Sequence, residues 1–271
     1  MFRQLRSTLW YLRRPRLYRE MVRKAWATAL GRRGRDGSRA KAERWCSQRA
    51  ISAREAIRLL TGSPPSEPIA SRFPAVFAAA QAAAAKCPVE MGGAANLDLL
   101  FAAAEALEAQ RAIETGVAYG WSSLALLLSL SARPGGRLVS TDMPYTGRNN
   151  DRFVGCVVPR ELRPHWRLID RADRDGLPLA LRDLPAIDLC HYDSDKSYAG
   201  RMWAYPRLFA ALRPGGCFIS DDVGDNRAFR DFCRAVGRKP IVVESDGKYV
   251  GVLVKDADPP LVPLAADRVA A

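Results

Sequence analysis

From Arg111 onward the chain alternates short apolar runs with helical stretches, and this alternation limits the fold more than any other feature. The runs fall at 111–115 (RAIET), 137–141 (RLVST), 166–169 (WRLI), 186–192 (AIDLCHY) and 216–220 (GCFIS). Helical patterns occupy 121–132, 197–212 and 226–236. Strands joined through helices line up in parallel, with the crossover helices covering both sheet faces. The end of the chain departs from this. IVVE and KYVGVLV, at 241–244 and 248–254, flank Ser245-Asp246-Gly247, a turn between antiparallel strands. The predicted fold is therefore α/β: a doubly wound, mostly parallel sheet with an antiparallel last strand, plus an N-terminal helical extension.

Upstream, Leu17, Tyr18, Met21, Val22, Ala25 and Trp26 lie at helical spacing within 16–30, with Pro15 before them and Gly31 after. GRRGRDGSR at 31–39 reads as a flexible linker. Ser52-Ala-Arg-Glu55 has the capping-box pattern ahead of Ile57, Leu59 and Leu60. TGSPPSEP at 61–68 then breaks the chain and marks the expected domain boundary. Asn96 is placed to cap a helix through Gln110. The expected organisation is a basic helical extension over 1–68, a main domain over 69–256 and a tail over 257–271, where Asp258-Pro259-Pro260-Leu261 reads as Pro-rich tail.

Charge separates the parts. Of 42 Lys plus Arg and 29 Asp plus Glu, residues 1–50 hold 15 basic and 3 acidic, a net of +12. The remaining body is nearly neutral, which argues against a protein that coats nucleic acid. The arm also carries Leu9, Trp10, Tyr11 and Leu12, so a peripheral membrane surface or a protein partner is the expected contact for residues 1–50, with Leu17, Met21, Val22 and Trp26 facing it. Six scattered cysteines without a CxxC pair fit reduced thiols and a cytoplasmic location, peripheral at a membrane if the arm docks there. The longest uncharged stretch, Thr115–Ala132, contains two Gly, four Ser and a Thr, and fits a strand, turn and helix better than a membrane span.

Open parallel sheets bind ligands beyond the carboxyl ends of their strands. The first strand ends in Glu114-Thr-Gly116-Val-Ala118-Tyr-Gly120-Trp-Ser122-Ser123, where two glycines permit a tight turn into a helix N-terminus. The next ends at Asp142, placed to accept hydrogen bonds from a ribose diol. The GxxxG spacing is not GxGxxG, which counts against a nicotinamide or flavin oxidoreductase. Further on, Asp193, Asp221 and Asp222 end neighbouring strands. Three convergent carboxylates repel unless a cation joins them, and a divalent ion with oxygen ligands fits; helix caps or solvated acids are the alternative. Lys196 is one of only seven lysines and is either a general base or an ion-pair partner of Asp193 or Asp195. His165 and His191 are the only histidines, and His191, inside an apolar run, reads as a core residue. Tyr198, Trp203 and Tyr205 face either a substrate or the core.

ETGVAYGWSS followed by STD resembles the cofactor motifs of class I S-adenosylmethionine-dependent methyltransferases, whose fold is Rossmann-like. The best local match is the branch that includes the metal-dependent catechol and caffeoyl-CoA type and related sugar O-methyltransferases. MGGAAN, 91–96, stands where those enzymes cover the cofactor, and the resemblance extends over about 90–255. It implies that Met91 covers S-adenosyl-L-methionine, that Glu114, Gly116, Ala118, Tyr119, Gly120 and Ser122 line its methionine end, and that Asp142 holds the ribose. Asp170-Arg-Ala-Asp173 replaces the family's Gly-Asp pair near the adenine; either acid fits, and Asp173 is taken as the cofactor residue. It further implies that Asp193, Asp221 and Asp222 ligate a divalent metal, magnesium by preference, with Lys196 and Asp193 catalytic. The expected activity is O-methylation of a hydroxylated small molecule or sugar assisted by the metal. A metal-free transfer, and a non-catalytic scaffold docked through the arm, are the alternatives; a homodimer is compatible with either.

Overall fold

A computed structural model describes residues 2–29 and 38–256. The linker expected over 31–39 and the tail over 257–271 thus lie largely or wholly outside the described residues. The helices are α1 (Phe2–Leu12), α2 (Tyr18–Ala29), α3 (Arg39–Ser47), α4 (Ala53–Thr61), α5 (Ile69–Arg72), α6 (Pro74–Ala84), α7 (Leu97–Ala106), α8 (Trp121–Leu130), α9 (Asp173–Asp183), α10 (Tyr198–Ala211) and α11 (Ala228–Ala235). The strands are β1 (Ala50–Ser52), β2 (Arg111–Thr115), β3 (Arg137–Asp142), β4 (Trp166–Asp170), β5 (Ile187–Tyr192), β6 (Leu212–Ser220), β7 (Ile241–Ser245) and β8 (Lys248–Val254).

They form one sheet in the order β1-β7-β8-β6-β5-β2-β3-β4, with β8 antiparallel to both neighbours and every other pair parallel. Neighbouring residues of a strand point to opposite faces. Ala112, Leu189 and Ile219 accordingly pack with Leu99, Leu100, Leu126 and Leu130 of α7 and α8 on one side. Ile113, Cys190 and Phe218 pack with Leu177, Tyr205, Leu208 and Phe232 of α9, α10 and α11 on the other. This accounts for the long uncharged stretch: it is the end of β2, a turn, and a helix buried against the sheet. Among the described residues no helix is long and apolar enough to cross a membrane.

The boundary expected at 61–68 needs correcting. Ala50, Ile51 and Ser52 pair in register with Val242, Val243 and Glu244, and Ala56 and Ile57 of α4 are buried in the core beside α7. Residues 50–61 therefore belong to the main domain, and TGSPPSEP is a surface connection between α4 and α5. Ser52 does cap the helix, its Oγ accepting from Glu55 N at 3.2 Å. Asn96 behaves differently from expectation: it takes a left-handed φ of 56° and makes no side-chain cap. The helix it precedes ends at Ala106 rather than running through Gln110: Glu108 takes a left-handed φ of 46°, and the backbone N–H groups of Gln110 and Arg111 donate instead to Asp188 Oδ2, at 2.9 and 2.8 Å.

The arm folds onto the body. Trp10, Tyr11 and Leu17 are buried, with Met21 and Met143 packed against them, so Leu17 and Met21 do not face outward as the sequence suggested, whereas Val22 and Trp26 do.

Candidate functional site

The carboxyl ends of β4, β3, β2, β5 and β6 form a continuous rim. Asp170 is level with Asp142, Thr141 with Thr115, Thr115 with Tyr192, and Tyr192 with Ser220. Asp142, Asp193, Asp221 and Asp222 therefore stand on the same edge, as the parallel topology requires.

The turn after β2 is fixed by close backbone approach. Gly116 has φ +82°, and a Cβ there would lie 2.3 Å from the Asp193 carbonyl oxygen. Its N–H donates to Thr141 O at 2.8 Å, and Asp193 N–H donates to Thr115 O at 2.7 Å, so three strand ends are tied at this glycine. Gly120, at φ +96°, lies under Gly155, whose Cα would be 2.9 Å from an added Cβ. Gly155 N and Val157 N donate to the carbonyls of Ala118 and Tyr119, so the segment after β3 straps the turn down. Met91 lies over the same region: its N–H donates to Tyr119 Oη at 3.3 Å, and its sulfur receives Asn150 Nδ2 at 3.0 Å.

Glu114 has another place than the one its motif implied. It is 0 % exposed, and its carboxylate accepts from Ser122 at 2.6 Å, from Ser140 at 2.7 Å and from Ser123. It binds α8 and β3 to β2 and does not face open space; Ser122 likewise turns its hydroxyl inward. His191, 2 % exposed, lies between Glu114 Oε1 and Asp221 Oδ1, at 3.5 Å from each. Burial opposes its cation, but the two carboxylates outweigh burial and lift the imidazole to about 9. The sequence offered no sign of this role, since a histidine in an apolar run looks like any core residue.

Asp142 accepts from Val117 N at 2.9 Å. Burial, aided by the charges of Glu114 and Asp170, pushes its carboxyl up to about 6 against the hydrogen bonds of Val117 and Ala118. Asp173 is tied inward, receiving Ser194 Oγ at 2.5 Å and Tyr192 Oη at 3.2 Å, and burial raises it as well.

The three acids expected to share a metal separate into two arrangements. Lys196 Nζ donates to Asp193 and lies 2.8 Å from Asp222 Oδ2, with Lys248 Nζ 3.7 Å from Asp222 Oδ1. Burial opposes the Asp222 carboxylate, yet the Lys196 ammonium holds it below the usual carboxylate range. Asp221 turns away toward His191. Among the described residues no three His, Cys, Asp or Glu side chains are grouped as ligands of one ion. The donor set thus does not fit a shared metal, and ammonium and imidazole groups stand beside the carboxylates instead. Arg201, which the sequence reading passed over, is fully buried, and its Nη2 donates to the carbonyls of Asp221 and Asp222 at 3.2 and 2.9 Å. Tyr205 is core, bonded to Ser220 Oγ at 2.7 Å, whereas Tyr198 is exposed.

Residues 113–223 match the family described as a methyltransferase domain. No curated protein matches the chain. Among solved structures, an O-methyltransferase from Bacillus cereus in complex with SAH is 16% identical, with a TM-score of 0.53 over 78% of this chain and 100% of that one. The O-methyltransferase TomG from Streptomyces achromogenes, in complex with SAM, is 19% identical, with a TM-score of 0.51 over 77% and 98%. A methyltransferase from Geobacter sulfurreducens is 18% identical, with a TM-score of 0.52 over 77% and 98%. Residues 113–223, from β2 to the loop after β6, are thus similar to a methyltransferase domain, and the sheet that carries them has the Rossmann-like fold of these solved structures.

Proposed function

We propose that the protein transfers the methyl group of S-adenosylmethionine to a hydroxyl oxygen of a small-molecule or sugar acceptor. The observation that carries this reading is the meeting of the Gly116 turn, the Asp142 carboxylate and the Lys196–Asp193 pair on one rim. Similarly folded proteins from Bacillus cereus and Streptomyces achromogenes are O-methyltransferases crystallised with SAH and SAM. The residues present suit such a cofactor. A carboxylate has about four acceptor sites, and the N–H groups of Val117 and Ala118 use two of them at Asp142, leaving acceptors for a ribose diol. The left-handed backbone at Gly116 and Ala118 brings main chain, rather than side chain, toward the ligand.

When bound, the cofactor supplies an electrophilic methyl on a sulfonium. The chain's own task is to orient the acceptor oxygen in line and to take its proton. Asp193, at the end of β5, is the proton acceptor in this reading, and Lys196 bridges it to Asp222 and balances the charge that a carboxylate pair would otherwise build. The same bridge supports a metal-free transfer, because the ammonium lies between two of the acids that a divalent ion would have to join.

Labelled cofactor with a panel of hydroxylated acceptors tests the reading, with magnesium in one arm and excess chelator in the other. Equal turnover in both arms is expected. Activity lost in chelator and restored by magnesium would return the ion to the site. Binding of NADH with neither sulfur nucleoside bound would overturn the assignment.

We also propose that the outward side of the arm docks on an anionic membrane surface. Tyr18, Val22 and Trp26 form an exposed stripe at i, i+4 and i+8 on α2, and Leu9 and Leu12 of α1 are exposed as well. Arg13 and Arg19 are exposed and make no ion pair among the described residues. Apolar and cationic groups together suit a lipid headgroup layer.

A further inference from the structure

The arm's inward arginines do not scatter over the body; they meet acids on three elements around the β3 and β4 ends. Arg14 donates from Nε and Nη2 to Asp151 Oδ1 and Oδ2, at 2.9 and 2.6 Å, in the loop between β3 and β4. Arg16 pairs with Asp170 at the end of β4 and lies 3.6 Å from Asp151. Arg23 pairs with Asp175 in the first turn of α9. Between these contacts the apolar cluster of Trp10, Tyr11 and Leu17 packs on Met143, the residue next to Asp142. Asp170 is the in-register neighbour of Asp142, and its Oδ1 is buried with no hydrogen-bond partner. A buried carboxylate oxygen left unpaired is costly, so it marks a place where a donor belongs. Asp173, the other acid considered for the nucleoside, already receives Ser194 and Tyr192.

We infer that the N-terminal arm is part of the cofactor site: its Pro15–Leu17 turn, pinned through Arg14, Arg16 and Arg23, walls the nucleoside end and holds Asp170 toward a hydroxyl or amine of the nucleoside. This rests on the S-adenosylmethionine reading and extends it to residues outside the matched domain. Arg14, Arg16 and Arg23 are positioning residues, acting through the acids they hold. The three pairs are partly exposed, so salt weakens them.

Calorimetry with S-adenosylhomocysteine on the full chain tests the inference. The double variant Arg14→Gln, Arg16→Gln should raise Kd about tenfold, the effect of about 1.4 kcal/mol. The parent's Kd should rise with sodium chloride more steeply than the variant's. Because those variants could lose the fold, a charge exchange serves as the second arm. Arg14→Asp alone should weaken binding, and adding Asp151→Arg should bring Kd back to within about threefold of the parent. Melting temperature follows each protein. Failure of the parent to bind the nucleoside overturns the functional reading. A parent that binds, with variants that bind equally well, overturns the role of the arm alone, as does a folded charge-exchanged chain that binds no better than Arg14→Asp.

Discussion

Asp142 carries an acid whose protonation decides whether it can serve a diol. Its folded pKa of about 6 lies above the ordinary value of 3.8, so its contribution to stability is fully present below pH 3.8 and is lost as pH rises through about 6. Ligand binding runs the other way. The ionised carboxylate accepts two hydroxyl donors, whereas the neutral acid must give up one acceptor site. S-adenosylhomocysteine should therefore bind about tenfold more weakly at pH 5 than at pH 7, in proportion to the ionised fraction of a group titrating near 6. Asp142→Asn should bind weakly with a flat profile; a variant that keeps the parent's slope would assign the titration to another group. Lys196 gives a second test at this scale. It bridges two carboxylates, so its charge is the property in use. Lys196→Met should lower the single-turnover rate by about a hundredfold or more, whereas Lys196→Arg should stay within about tenfold of the parent. Equal collapse of both variants would make the amine itself the base, since guanidinium does not give up its proton.

Elements were legible where periodicity and glycine coincide. β2, β5 and β8 combine apolar runs with bounded turns, and each appears within a residue or two of its expected limits. β6 starts earlier than the run 216–220 suggests. Arg213-Pro-Gly-Gly reads as a turn, but the ladder passes through it by a register shift between Ile187 and Leu189, which local sequence does not encode. β1 was missed for a related reason: three residues, Ala50–Ser52, show no alternation and become a strand only by pairing with β7, some 190 positions away in sequence. The rim acids could be found because strand ends are ligand sites, but their partners could not. Which way Asp221 turns depends on His191 and Arg201, brought there by packing. The corrected boundary leads to a contrast between truncations. A chain starting at Ser38 keeps β1 and α4 and should fold, whereas one starting at Ser66 loses the buried Cys46, Ala56 and Ile57 and bares the edge of β7. Such losses cost about 3 kcal/mol or more for a single large core side chain, so the shorter chain should aggregate. A soluble Ser66 chain melting as the Ser38 chain does would show that β1 and α4 add nothing to the core.

Across the whole molecule, the imbalance of charge resolves into two sides of one arm. Inward arginines are matched to body acids: Arg14 holds Asp151 below the usual carboxylate range, and Arg23 meets Asp175. The outward side keeps Arg13 and Arg19 beside exposed aliphatic and aromatic groups, with Trp26 at 63 % exposure. A body that only needed a clamp would have no use for this second, apolar and cationic side. Near an anionic surface each arginine contributes about 1 kcal/mol, so the two together favour charged over neutral vesicles by about thirtyfold at low salt. Insertion of Trp26 among the headgroups should shift its emission to the blue when phosphatidylserine vesicles are added, and not with phosphatidylcholine alone. Trp26→Ala with Val22→Ser should abolish vesicle binding, while affinity for S-adenosylhomocysteine persists because neither side chain belongs to the inward cluster. High salt should release the parent from vesicles, as screening shortens the reach of the field to about 3 Å at 1 M. Indifference of the parent to anionic vesicles at low salt would remove the membrane and leave the exposed stripe to a protein partner.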